Sequence, residues 1–324
     1  MPDSLSRRAL LRAAGGITFL GLAADGRVLA APKTGGAVQP VFLAAPYLQP
    51  GPQGSHLRER AESVILAWET TRVPASFAAT LLETGQTRTP ERTERRTVAK
   101  VDGKGAYHYA VAFDGLKLAT RYRYRVTLEG ETLVEGFFTT RKPRGQKCRF
   151  VAFGDNALGD IHERMVAYQA YRARPDFIVN TGDAVYEEGL GNEYTRYFFP
   201  ILNADLARPN IGAPLLRSVP FYTVLGNHDA NEDDARGGLL DFDADPDSGG
   251  YFQCLHLPVN GPAQPAFPMR TRGAAEQVAV FRASAGARYP RMANYSFDYA
   301  DAHFLCLDSS TYTDPADPAL QEWI

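Results

Sequence analysis

YTVLGNHDA, residues 222–230, closes a β-branched and aromatic run on Gly226, Asn227, His228 and Asp229. Such a run reads as a buried strand, and Asn and Gly at its end are natural turn formers. The same residues also offer a neutral oxygen ligand beside a proton donor. Two earlier runs bear on the choice. RFVAFGD (149–155) ends on Gly154 and Asp155, and DFIVNTGD (176–183) ends on Gly182 and Asp183. One Gly-Asp after a strand is only a turn. Three strand ends in order, each carrying an oxygen donor, point to one rim, because ligands of open α/β sheets bind beyond the carboxyl ends of the strands.

The segments between these runs have helical texture. IHERMVAYQAYRAR (161–174) places Ile161, Met165 and Tyr168 on one face, with Asp160 positioned to cap it. A second helical stretch is expected between Glu193 and Leu206, and YSFDY (295–299) with HFLCLDSS (303–310) reads as a hairpin. Residues 231–292, rich in Gly, Pro, Asp and Arg, read as long loops. Apolar strands joined by crossovers predict a sheet covered on both faces.

Upstream, VILAW (64–68), YHYAVAF (107–113), YRYRVTL (122–128) and VEGFFTT (134–140) read as short strands separated by polar stretches such as RTPERTERR (88–96). They predict a β-sandwich over 38–140 with Trp68 in its core. RKPRGQK (141–147) reads as a solvated linker, Arg141, Lys142 and Arg144 included. The fold class is therefore multidomain: an N-terminal β-sandwich, then an incomplete α/β domain over 147–324 in which a central β-sandwich is covered by helices.

Charge and composition narrow the partners. With 35 basic against 37 acidic residues among 324, nothing suggests a nucleic acid or an anionic membrane. Three cysteines, Cys148, Cys254 and Cys306, cannot all pair, and Cys148 and Cys306, each in an apolar strand-like run, read as small buried hydrophobes rather than as a disulfide. Residues 1–31 have a basic start at Arg7, Arg8 and Arg12, a mild apolar stretch and a small-residue exit, which is the layout of an export signal. The paired arginines resemble the twin-arginine signal, so an exported, periplasmic or secreted location is expected, without stable membrane insertion.

The rim residues suggest metal chemistry. Two carboxylates (Asp155, Asp183), a tyrosine (Tyr186) and a carboxamide (Asn227) are oxygen donors suited to hard or borderline cations. A tyrosinate suits a ferric ion, and neutral Asn227 suits a divalent one without repelling a phosphate. Asp183, at the middle tip, is the natural bridge. Two ions so held clamp attacking and leaving oxygens and supply a hydroxide.

FVAFGD, NTGDAVY and VLGNHD resemble the first three motifs of the calcineurin-like metallophosphoesterases, and most closely the purple acid phosphatase branch. Ala157 stands where ordinary members carry a ligand histidine, and Tyr186 where the branch carries its tyrosine. APYLQ (45–49), Trp68 and GLKLATRYRYRV (115–126) resemble that branch's fibronectin-III-like N-terminal domain. The resemblance implies Fe(III) on Asp155, Asp183 and Tyr186, and a divalent ion (Fe, Zn or Mn) on Asp183 and Asn227. His228 would contact the phosphoryl oxygens of a small phosphate ester and assist its leaving group. The expected activity is monoester hydrolysis of the acid phosphatase type. A phosphodiesterase or nucleotidase on the same centre, and a non-catalytic extracellular binding protein, are the alternatives.

The sequence also departs from the pattern. The family takes further histidines from later strands, including a Gly-His-x-His, whereas only His256 and His303 follow His228 here. His303 reads as structural, and His256 as a loop residue at the surface or facing substrate. The chain stops at LQEWI, which reads as the start of a helix without closing strands, so a C-terminally truncated sequence is expected. DFDADPDSGG (241–250) lacks the Gly and Glu of a calcium loop and reads as an acidic surface loop. His162 reads as helix surface, and Asn180 as a residue that orients the rim.

Overall fold

The computed structural model describes residues 42–51, 61–71, 76–95, 106–230, 238–262, 269–310 and 314–324. The export-like segment 1–31, residues 38–41 and Arg96 of the polar stretch lie outside the described residues. The architecture is multidomain α/β, with several β-sheets and flanking helices. Among the described residues no helix is long and apolar enough to cross a membrane.

The first unit is a sandwich of two four-stranded antiparallel sheets. One sheet orders β1 (Ala44–Gln49), β2 (Ala61–Thr70), β6 (Ala106–Lys117) and β5 (Glu91–Arg95). The other orders β4 (Gln86–Arg88), β3 (Phe77–Leu81), β7 (Arg121–Leu128) and β8 (Glu131–Thr139). Val64, Leu66 and Trp68 alternate into its core with Phe77, Tyr109, Tyr124 and Phe138. Trp68 is fully buried, stacked on Tyr109 with ring centroids 5.8 Å apart. The period-2 pattern of a strand explains what the other side of β2 does. Ile65 and Ala67 point the opposite way and join Ala44 and Tyr47 in the core of the second unit.

That unit is built on a parallel sheet ordered β13 (Phe221–Thr223), β10 (Phe177–Asn180), β9 (Phe150–Phe153). The register sets Asn180 beside both Phe153 and Thr223, so the three strands end level. One face of the sheet takes the hairpin of β16 (Tyr295–Tyr299) and β17 (Ala302–Cys306), whose rings pack on Phe177 and Tyr222; Phe297 stacks on Tyr222 at 3.7 Å. Phe221 faces the other way, against Phe198 at 5.3 Å. The hairpin forms as expected, but its second strand ends at Cys306 rather than Ser310. Cys254 and Cys306 are buried, Cys148 is half-buried, and all three are free thiols.

Several expectations need correction. Helix α1 (Ile161–Arg172) is capped by Asp160, which accepts from the Glu163 amide, but its apolar Ile161 and Met165 are exposed. Small residues, Ala167 and Ala170, make its buried contact instead. β9 pairs with β10 alone and leaves Phe150 exposed, so the sheet is not covered throughout. The helical stretch expected to reach Leu206 runs from Gly191 only to Leu202 and gives way to a strand, Asn203–Arg208. Residues 231–292 are not loop throughout: they hold helices Gly250–Cys254 and Ala275–Ala285 and a short parallel pair, Leu239–Asp241 with Arg270–Arg272. The acidic run is likewise only partly surface. Asp241 and Asp247 are buried, the first accepting from the Asp243 and Ala244 amides, the second from the Asn192 amide at 2.5 Å. Arg141 is buried against Glu62 at 3.0 Å and is no solvated linker residue. Lys142 pairs with Asp176 at 2.7 Å.

Candidate ligand rim at the strand ends

The three strand ends meet because glycine lets their backbones touch. A Cβ on Gly226 would lie 2.1 Å from the Asp183 nitrogen, and Gly182, at φ +109°, packs against Gly226. Asp155 and Asp183 themselves take φ near +50°, a left-handed conformation that Asp tolerates better than most residues. Both carboxylates are thereby turned out of their strand directions toward the same point.

Tyr186 occupies that point. Its hydroxyl lies 2.9 Å from Asp155 Oδ1 and 2.9 Å from Asp183 Oδ2. Burial, then the hydrogen bonds to Asp183 and Asp155, holds its pKa well above the ordinary phenol range. The phenol is therefore neutral, with one proton that either carboxylate can accept. Asp183 Oδ1 accepts from the His228 amide at 3.0 Å. The His228 ring sits 4.4 Å from that of Tyr186, and its Nδ1 donates to the Glu187 carbonyl at 2.7 Å, which leaves Nε2 as the ring atom for other partners. Asn227 is exposed in the turn, and its carbonyl accepts from the Ala230 amide.

Two buried groups hold the rim from behind. Asn180 receives the Gly182 amide and the Thr223 hydroxyl on Oδ1 and donates to Asn156 Oδ1 at 2.5 Å, as expected of an orienting residue. Asp229 was not singled out in the sequence, although it follows His228 directly. It is fully buried, accepts the Ala184 and Gly226 amides, and so ties the second strand end to the third. Burial raises its carboxyl to about 7. His162 is exposed on α1, and His303 bonds Asp298 at 2.5 Å within the hairpin. His256 is not at the surface: it is buried beside His108 of the sandwich.

Residues 149–275 match the family described as calcineurin-like phosphoesterase. Purple acid phosphatase 17 of Arabidopsis thaliana is 29% identical over 136 residues, which are 40% of this chain and 38% of that protein. A purple acid phosphatase from yellow lupin (Lupinus luteus) seeds superposes with a TM-score of 0.51 at 16% identity, over 84% of this chain and 45% of the lupin chain. Over residues 149–275 the chain is thus similar to calcineurin-like phosphoesterases, the purple acid phosphatases among them. A structure of PhoD also matches, with a TM-score of 0.42 at 14% identity over 88% of this chain and 55% of that one. The chain thus spans 38% of the Arabidopsis protein and 45% of the lupin one.

The donors of the rim do not fit the expected metal pair. Among the described residues no group of three or more His, Cys, Asp and Glu side chains is placed to hold a metal ion. This overturns the Fe(III)–divalent centre on Asp155, Asp183, Tyr186 and Asn227, and with it the reading of iron-dependent monoester hydrolysis. The physical reason lies in the rim: only two acids, Asp155 and Asp183, converge there, and the other two expected ligands are a phenol and a carboxamide rather than a third His, Cys, Asp or Glu.

Proposed function

We propose that the chain is a non-catalytic binding protein on a phosphoesterase scaffold, exported from the cytoplasm, which holds a small phosphate ester at the rim without turning it over. The pattern of rim bonds carries this reading: one protonated phenol bridges Asp155 and Asp183, and Asp183 is further engaged by the His228 amide. Hydrolysis requires an activated nucleophile and donors aimed at the charge that develops on the phosphoryl oxygens. Here the carboxylates oppose that charge; the exposed Asn227 amide donates to the phosphoryl oxygens, and His228 Nε2, bare while Nδ1 donates to Glu187, accepts from a phosphoryl hydroxyl. In this reading residues 1–31 direct export, 38–140 form a fibronectin-III-like domain, and 147–324 form the phosphoesterase domain.

A second reading, hydrolysis of a phosphodiester or a nucleotide on the same scaffold, is favoured by the family match over 149–275. The two part in a single experiment on the full chain with p-nitrophenyl phosphate and bis(p-nitrophenyl) phosphate. Binding of the first is followed by calorimetry and release of nitrophenol from the second by absorbance. We expect binding without turnover, weakened about tenfold by His228→Ala, the equivalent of one hydrogen bond to a charged group. Turnover that Asp155→Asn abolishes establishes the hydrolytic reading instead, and absence of binding removes the rim as a phosphate site.

A further inference from the structure

A file of buried polar groups crosses the seam between the sandwich and the α/β unit. Glu69 and His108 stand opposite each other in the β2–β6 ladder on the sandwich side. Cys254, His256 and Arg288 face them from the other unit. Glu69, His108 and His256 are all buried, at 0, 2 and 9% exposure. His108 Nε2 lies 2.8 Å from His256 Nε2, with the rings 5.1 Å apart and 19° from parallel. His108 Nδ1 lies 3.5 Å from Glu69 Oε1, on which Cys254 Sγ also donates at 3.4 Å.

Arg288 biases where the protons sit. Its guanidinium has donors only, and Nη1 lies 3.2 Å from His256 Nε2. A proton on His256 Nε2 would face a group that holds only donors, so the geometry favours a bare His256 Nε2 that accepts from His108 Nε2. The guanidinium cannot turn aside, because it also donates to the carbonyls of Gln253, Leu255, Ser284 and Ala285. The backbone of His256 meanwhile spans the seam: its amide donates to Gln49 Oε1 at 2.9 Å and its carbonyl accepts from Gly51 at 3.0 Å. Tyr47 of β1 completes the wall, its hydroxyl on the Cys254 carbonyl at 2.5 Å.

We propose that this file is an acid-released latch between the two units: neutral His256 closes it, and a proton on His256 Nε2 opens it. Protonation turns the one acceptor at the centre of the file into a third donor, facing the Arg288 and His108 donors at contact distance. Burial first, then the charges of Arg288 and His108, holds the His256 pKa well below the ordinary imidazole range. The unfolded or opened chain takes up this proton near pH ~6.5. The stabilisation from neutral His256 is thus complete above that pH and is lost as pH falls toward the folded value, by up to about tenfold in the opening equilibrium per pH unit.

Hydrogen exchange of the full chain tests the latch at the seam amides of Leu48, Gly51 and His256, which bond Leu216, His256 and Gln49 respectively. After correction for intrinsic exchange, their protection is expected to fall at least tenfold between pH 7.5 and 5.0. Amides of the sandwich interior, such as that of Tyr124, should not follow. His256→Gln keeps an acceptor but takes up no proton, and should flatten the profile. Equal loss of protection in both proteins, or no loss in the unsubstituted chain, overturns the latch. A second measurement needs no variant: the ¹⁵N shifts of the His256 ring should show Nε2 bare while the seam is closed, and a protonated Nε2 in the closed seam is equally decisive against it.

Discussion

The rim and the seam both gather acids, histidines and a tyrosine, yet they treat them in opposite ways. At the rim, Asp155 and Asn227 are open to solvent, and the buried work is done one layer back by Asn180 and Asp229. At the seam, the titratable groups themselves are buried and tied between two cores. The same residue types therefore differ in consequence: an exposed polar contact contributes little to stability, whereas a buried one left without its partner costs about 1–3 kcal/mol. The rim is free to serve a ligand because the fold does not depend on its outermost side chains.

The largest test of this contrast is Tyr47→Ala. Tyr47 is fully buried, packs on Phe199 with ring centroids 4.6 Å apart, and bonds the Cys254 carbonyl. Its removal should cost about 3–5 kcal/mol, the range for deleting a buried aromatic, measured by urea denaturation. A loss under ~1 kcal/mol would mean that the seam is not integral to the fold.

Glu163→Gln gives a smaller, pH-dependent effect. Glu163 is buried behind the rim on α1, accepts from the Gly159 amide, and has its carboxyl raised to about 7 chiefly by burial. A raised carboxyl means that the folded chain binds the extra proton between about pH 4.5 and 7. Stability from this group is therefore highest at the acid end and falls as pH rises through that window. The glutamine variant should match the wild type near pH 5 and exceed it by about 1–3 kcal/mol at pH 8, the scale of an ionised buried group with an incomplete set of partners. A constant difference across the range would place the effect elsewhere.

The smallest expected effect is that of Asp155→Asn. Asp155 is exposed, and an amide oxygen can still accept from Tyr186, so the thermal midpoint should correspond to a change within about 0.5 kcal/mol. A loss as large as that of Tyr47→Ala would erase the distinction between rim and seam.

What was legible in the sequence follows the same division. Gly-Asp after two apolar runs and Gly-Asn after the third announced the rim, because strand ends and their turns are set by neighbouring residues. Asp160 as a helix cap and Asn180 as an orienting group were readable for the same reason. Residue type did not reveal how Tyr186 uses its oxygen: a phenol between two carboxylates donates, and that depends on side-chain geometry. Asp229 escaped notice because its partners, the Ala184 and Gly226 amides, belong to two different strand ends. Arg141 was misread as solvated and His256 as a surface or substrate-facing loop residue because their partners Glu62 and His108 lie 79 and 148 positions away. Polar residues that settle into long-range buried pairs leave no local signature.

β2 has a consequence of its own. Val64, Leu66 and Trp68 fill one core while Ile65 and Ala67, on the same ten-residue strand, fill the other. Pulling this strand from either side breaches both interiors, so at neutral pH, with the seam closed, the two units should melt in a single transition despite the Pro- and Gly-containing stretch that joins them in sequence. While the seam holds, the boundary visible in the amino-acid order should not be a boundary in cooperativity.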